Sequence, residues 1–76
     1  MRKTIYTVQH KNLVKKLIES RLEAGLTQSE VARKIGKPQS FISRLESAQR
    51  RIDAIELDLL ARIYKKPLKY FLDFLP

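Results

Sequence analysis

The chain has 76 residues and a mass of 8.9 kDa, enough for one small domain that buries only roughly 60% of its unfolded surface, so modest stability is expected. Sixteen Lys and Arg against eight Asp and Glu leave a net charge of +8 and a pI near 10.1, which points to a polyanionic partner, either a nucleic acid or an anionic membrane face. No Cys is present and His10 is the single histidine, which excludes disulfides, Cys nucleophiles and the common structural zinc sites; no apolar run approaches the roughly 20 residues of a membrane span and no signal-peptide core follows Met1-Arg2-Lys3, so a soluble cytoplasmic protein is expected.

Two Gly, three Pro and no Ser/Gly-rich stretch leave no flexible linker, and the apolar spacing is helical from about Val8 onward. The pattern predicts an all-α domain of five helices over residues 8–76, without repeats, preceded by an arm over residues 1–7. Lys3 to Val8 alternates weakly, but a strand there would lack a partner, so an ordered arm packing Ile5 and Tyr6 on the core is expected. Thr7 is placed to cap helix 1, in which Leu13 and Leu17, with Val14 and Ile18, recur at helical spacing until Gly25 stops it.

Thr27-Gln28-Ser29-Glu30 reads as a capping box, so helix 2 is expected to start at Gln28. Gly36 ends that helix by supplying positive φ, and Pro38 suits the first turn of helix 3 because its missing N–H would be unpaired there anyway. Lys37 then falls at the cap position, where Ser or Thr would contribute about 1 kcal/mol more; a cation beside a polyanion is the expected compensation. Asp53-Ala54-Ile55-Glu56 repeats the capping-box pattern for helix 4, which carries Leu57, Leu60, Ala61 and Tyr64 on one face. A last helix is predicted from about Pro67 to Phe74.

Two short helices joined by a tight Gly turn match a helix-turn-helix over residues 27–46, with Ala32 allowing close approach. At 100° per residue helix 3 gathers Phe41, Ile42 and Leu45 in one sector and Gln39, Ser40, Ser43 and Arg44 in the opposite one. The polar set has the chemistry of base reading: Gln pairs bidentately with adenine, Arg with guanine, and Ser with several base edges or phosphate. Spacing alone is equally compatible with an ordinary solvated helix face.

The run from Leu26 to Glu46, LTQSEVARKIGKPQSFISRLE, resembles the core of the Cro/C1-type (XRE) helix-turn-helix family, and the likeness extends over about Leu13 to Leu72. The resemblance implies a compact five-helix, lambda-repressor-like DNA-binding domain, bacterial or phage-encoded, acting mostly as a repressor on double-stranded DNA. It implies base contacts from Gln39, Ser40, Ser43 and Arg44, a phosphate contact from Gln28, and a structural ion pair between Arg21 and Glu46. Lys37, Arg50 and Arg51 are expected at phosphates. Ala48 and Lys65 depart from the pattern, because a Gly often closes a helix at those places.

Helix 5 carries Leu68, Phe71, Leu72 and Leu75 on one stripe and Tyr70 with Phe74 on another, more apolar surface than one core contact requires. Tyr70, Phe74 and Leu75 are therefore candidates for a homodimer interface, the alternative being that the second stripe closes over helices 1 and 4. A homodimer would place two recognition helices on a pseudo-palindromic operator. The resemblance also spans antitoxins that hold a protein partner and controllers of restriction-modification genes; a protein-interaction module is the rival class. No nucleophile-base pair, metal cluster or phosphate-cradling Gly loop is visible, so neither an enzyme nor a cofactor is expected.

Overall fold

The computed structural model describes residues 5–72, with side chains from residue 7 onward. Five helices follow in order: α1 (Ile5–Glu23), α2 (Gln28–Ile35), α3 (Gln39–Glu46), α4 (Ala54–Ile63) and α5 (Leu68–Leu72). Both expected capping boxes form. Thr27 Oγ1 accepts the Glu30 amide at 3.1 Å while Glu30 Oε1 accepts the Thr27 amide at 2.8 Å, and Asp53 with Glu56 does the same at 2.8 and 3.0 Å. Each box satisfies two backbone donors that a helix start otherwise leaves unpaired, which is why α2 and α4 begin where they do.

The start of α1 differs from expectation. The chain is already helical at Ile5, so Thr7 lies inside the helix rather than capping it. No Pro or Gly interrupts Lys3 to Thr7, and a Thr cap contributes only about 1 kcal/mol, less than continued backbone hydrogen bonding in a long helix can return. The packing expected of Ile5 and Tyr6 lies outside the described side chains, as do Phe74 and Leu75. A second correction concerns Lys37. The cap of α3 is Pro38 in extended geometry (φ −67°, ψ 156°), with no side-chain cap bond, and Lys37 precedes it. The left-handed residue at Gly36 (φ 71°) directs the chain away from α2, and two residues are needed before α3 can begin.

Leu17 of α1, Val31 and Ala32 of α2, Ile42 and Leu45 of α3, Leu57, Leu60 and Ala61 of α4, Tyr64 just past its end and Phe71 of α5 form one buried core. Each fully buried Leu, Ile, Val or Phe contributes about 1.5–3 kcal/mol relative to exposure. The closest pairing of elements is α2 with α3, where Ala32 (2% exposed) leaves room for the helices to approach. This packing leaves the outer edge of α3 to the solvent.

Candidate nucleic-acid interface

The exposed edge of α3 carries Gln39, Ser40 and Arg44, with Ser43 half-buried beside them; Lys37 and Arg51 stand exposed at its two approaches. No acidic side chain interrupts this edge. The described acidic residues nearest to it are held elsewhere: Glu30 and Asp53 in capping boxes, Glu46 by Arg21, and Glu56 by Arg50. The edge of α3 thus carries Arg44, with Lys37 and Arg51 at its approaches and no carboxylate among them, a charge balance that suits a polyanion.

A hydrogen-bonded relay runs from the core to this edge. Arg21 Nε donates to Glu46 Oε2 at 2.7 Å and Nη2 to Oε1 at 3.0 Å, a bidentate pair that is 13% and 6% exposed on its two sides. Arg21 Nη1 also donates to the Leu26 carbonyl at 2.9 Å, so the guanidinium ties α1 and the start of the helix-turn-helix to the end of α3. Gln28 Nε2 donates to the same Glu46 Oε1 at 2.9 Å, and Gln39 Nε2 donates to Gln28 Oε1 at 2.7 Å.

The relay has only one possible polarity. A carboxylate accepts and cannot donate, so Glu46 draws the nitrogen of Gln28 toward itself; the Gln28 oxygen then faces Gln39 and draws that nitrogen in turn. The exposed Gln39 keeps its carbonyl oxygen and a second N–H for other partners, the acceptor and donor pair that matches the N6 and N7 edge of adenine. The Arg21 and Glu46 pair expected from the sequence is thus present, and it also orients a candidate base reader. The Gln28 to Gln39 step was not foreseen; its sequence signal is the spacing that puts both residues at the starts of adjoining helices.

Arg50, expected at a phosphate, has its guanidinium carbon 4.3 Å from the centroid of the Phe41 ring, and its Nη1 donates to Glu56 Oε1 at 3.3 Å. Tyr70 is also engaged. It is half-buried between Lys16 and Lys66, whose ammonium groups lie 5.0 and 4.8 Å from its ring centroid, and Lys16 Nζ donates to its carbonyl at 2.8 Å. Beneath the site, burial pushes the Tyr64 phenol well above its ordinary pKa, with the Glu46 carboxylate adding to the rise. Among the described residues no cluster of His, Cys, Asp or Glu could hold a metal ion, and no helix is long and apolar enough to cross a membrane.

The helix-turn-helix family model matches residues 17–71, which spans the relay and every described candidate contact. This chain belongs to the Cro/C1-type (XRE) helix-turn-helix family. A solved structure described as an XRE-family like protein from Pseudomonas syringae pv. tomato str. DC3000 is similar over 90% of this chain and 83% of that chain, with 38% identity and a TM-score of 0.83. Among curated proteins none matches. Family membership makes the chain a DNA-binding regulator, and places α2 and α3 as its helix-turn-helix.

Proposed function

We propose that this helix-turn-helix protein is a sequence-specific transcriptional regulator, acting as a repressor that binds a pseudo-palindromic operator as a cytoplasmic homodimer, with one α3 in each major groove and half-sites about one helical turn apart. The observation that carries the reading is the exposed polar edge of α3, on which the Gln39 amide is oriented from behind by Gln28, Glu46 and Arg21. A solvated surface helix has no need of a buried carboxylate that sets the direction of an exposed amide. Gln39, Ser40 and Arg44 are assigned to bases, with Ser43 beside them in a more enclosed place. Lys37, Arg51 and the amide end of α2 at Gln28 are assigned to phosphates, the last because a helix start offers unpaired N–H groups and a positive dipole end.

The decisive experiment is selection from a random duplex pool by the purified protein, followed by affinity on the selected site and on random DNA. A preferred site bound roughly 10³-fold or more tightly than random duplex is expected, and the absence of any preferred site at moderate salt would overturn the reading. Arg44→Ala should cost about 1–3 kcal/mol on the selected site and relax specificity at one base pair. Equal losses on both duplexes would remove Arg44 from the base readers.

Besides the expected surface at Tyr70 on α5, where Leu68 and Leu72 are exposed, a homodimer has apolar surface on α4. Ile55 and Leu59, one turn apart and 74% and 43% exposed, face away from the core. The same pair favours a second reading, a module that holds a different protein in the manner of an antitoxin. Sedimentation of the protein alone across a dilution series separates them: self-association supports the homodimer, and a monomer at all concentrations supports the second reading.

A further inference from the structure

Two consecutive arginines follow the recognition helix, and they are placed differently. Arg51 is exposed, whereas the Arg50 side chain is 35% exposed and folded back over the protein. The ring it covers, Phe41, belongs to α3; the carboxylate it meets, Glu56, belongs to the first turn of α4. The Glu56 Oε1 that accepts from Arg50 at 3.3 Å also accepts the Asp53 amide at 3.0 Å, so Arg50 joins the capping box that starts α4. Lys37 Nζ lies 5.5 Å from the same Phe41 ring, which makes that ring the meeting point of cations from both approaches to α3.

An arginine that reaches for a phosphate needs its charge available at the end of an extended stem. Here the guanidinium carbon lies over an aromatic ring and Nη1 donates to a carboxylate that offsets its charge. A phosphate would have to compete with Glu56 and then sit beside its negative charge. The connecting segment, by contrast, has work for this side chain. The Ala48 amide to Leu45 (3.2 Å) and the Gln49 amide to Arg44 (2.8 Å) anchor its beginning. From Arg50 to Asp53 the chain is held by side chains: Arg50 itself, Ile52 against the core, and the Asp53 and Glu56 box.

We propose that Arg50 is a positioning residue: by stacking on Phe41 and pairing with Glu56 it sets α3 against α4, and so aims Gln39, Ser40 and Arg44 at the bases without touching a phosphate itself. The inference rests on the DNA-reading role proposed above. Arginine is required because its planar fork stacks and pairs at once, which an ammonium cannot do. Arg51 then remains as the phosphate ligand of this segment.

The test compares Arg50→Ala, Arg50→Lys and Glu56→Gln with the wild type on the selected duplex and on random duplex across a salt series, each protein held below its own melting temperature. Glu56→Gln keeps the capping box, since a glutamine oxygen still accepts the Asp53 amide, but removes the ion pair. Positioning predicts that all three variants lose at least about tenfold of their preference for the selected site while the salt slope stays unchanged. Should Arg50→Ala fail to fold, the Lys and Gln variants carry the result. A phosphate role predicts the reverse pattern: Arg50→Ala lowers the slope by about 0.9 and weakens both duplexes alike, Arg50→Lys behaves as wild type, and Glu56→Gln binds more tightly. That pattern, or an equal loss on both duplexes at unchanged slope, overturns the assignment. A wild type with no preferred duplex instead removes the DNA-reading role, and this assignment with it.

Discussion

Four helices end through the same turn, but the two halves of the molecule make it from different residues. α1 and α2 leave through Gly25 (φ 72°) and Gly36 (φ 71°), α3 and α4 through Ala48 (φ 62°) and Lys65 (φ 59°). The hydrogen bonds repeat. The left-handed residue donates to the carbonyl three back, at 3.0 Å for Gly25 and 3.2 Å for Gly36, Ala48 and Lys65; the following amide reaches five back, at 3.2, 2.9, 2.8 and 2.9 Å in chain order. A side chain in that backbone region costs roughly 1–2 kcal/mol, which Gly avoids. Burying a single Leu, such as Leu45 or Leu57 on either side of the Ala48 turn, contributes about 1.5–3 kcal/mol and outweighs the strain. Packing therefore imposes the turn, and glycine only makes it cheaper.

The largest expected effect comes from the ion pair that braces one turn of each kind. Arg21 holds the Leu26 carbonyl just past the Gly25 turn, and Glu46 lies two residues before the Ala48 turn. Glu46→Ala strands a mostly buried guanidinium and leaves Gln28 Nε2 without its acceptor, so a loss of about 3–5 kcal/mol is expected in thermal or urea unfolding. For a domain this small that shifts the midpoint by well over 10 °C, at roughly 4–8 °C per kcal/mol. An unchanged melting temperature would refute the brace.

Exchanging the turn residues sharpens the comparison at a smaller scale. A Cβ built at Gly36 meets nothing within 4 Å, so Gly36→Ala should add only the backbone strain, partly offset by a stiffer unfolded chain, for a net loss of up to about 1 kcal/mol. Ala48→Gly relieves the same strain but makes the unfolded chain more mobile, leaving a net gain of up to about 1 kcal/mol. Opposite signs in denaturant midpoints are the expected result. If Ala48→Gly destabilises as much as Gly36→Ala, the Ala48 turn is not strained and the two halves are equivalent.

What the sequence made legible follows the range of the interactions. The boxes at Thr27 and Asp53 and the turn at Gly36 are decided within four residues, and they stand where the pattern put them. The polar edge of α3 was legible from the periodicity of one helix, although periodicity could not tell that Ser43 is half enclosed. Ala48 and Lys65 could be recognised only as departures, since nothing local shows that packing will hold a non-glycine residue in that geometry. The Gln28 to Gln39 bond, the Arg50 stack on Phe41 and the seat of Tyr70 between Lys16 and Lys66 depend on how separate helices meet. For long flexible side chains, the choice between reaching outward and folding back is made by that meeting.

The smallest expected effect concerns how the front half starts its helix-turn-helix. The Thr27 amide, followed by its hydroxyl, holds the Glu30 carboxyl below the ordinary carboxylate range, and the Arg33 and Lys34 charges act in the same direction. A carboxyl lowered by folding contributes stability that is present above its unfolded value, near 4.3, and is lost as pH falls through the folded one. Glu30→Gln keeps both hydrogen bonds of the box and cannot titrate. The wild type should therefore lose slightly more stability than Glu30→Gln between about pH 5 and 3, with the rest of the titrating groups common to both proteins. Because the carboxyl is exposed, salt should reduce the share due to Arg33 and Lys34 and leave the share due to the Thr27 amide. Parallel stability curves for the two proteins would mean that the Glu30 side of the box accepts its hydrogen bond equally well with or without charge.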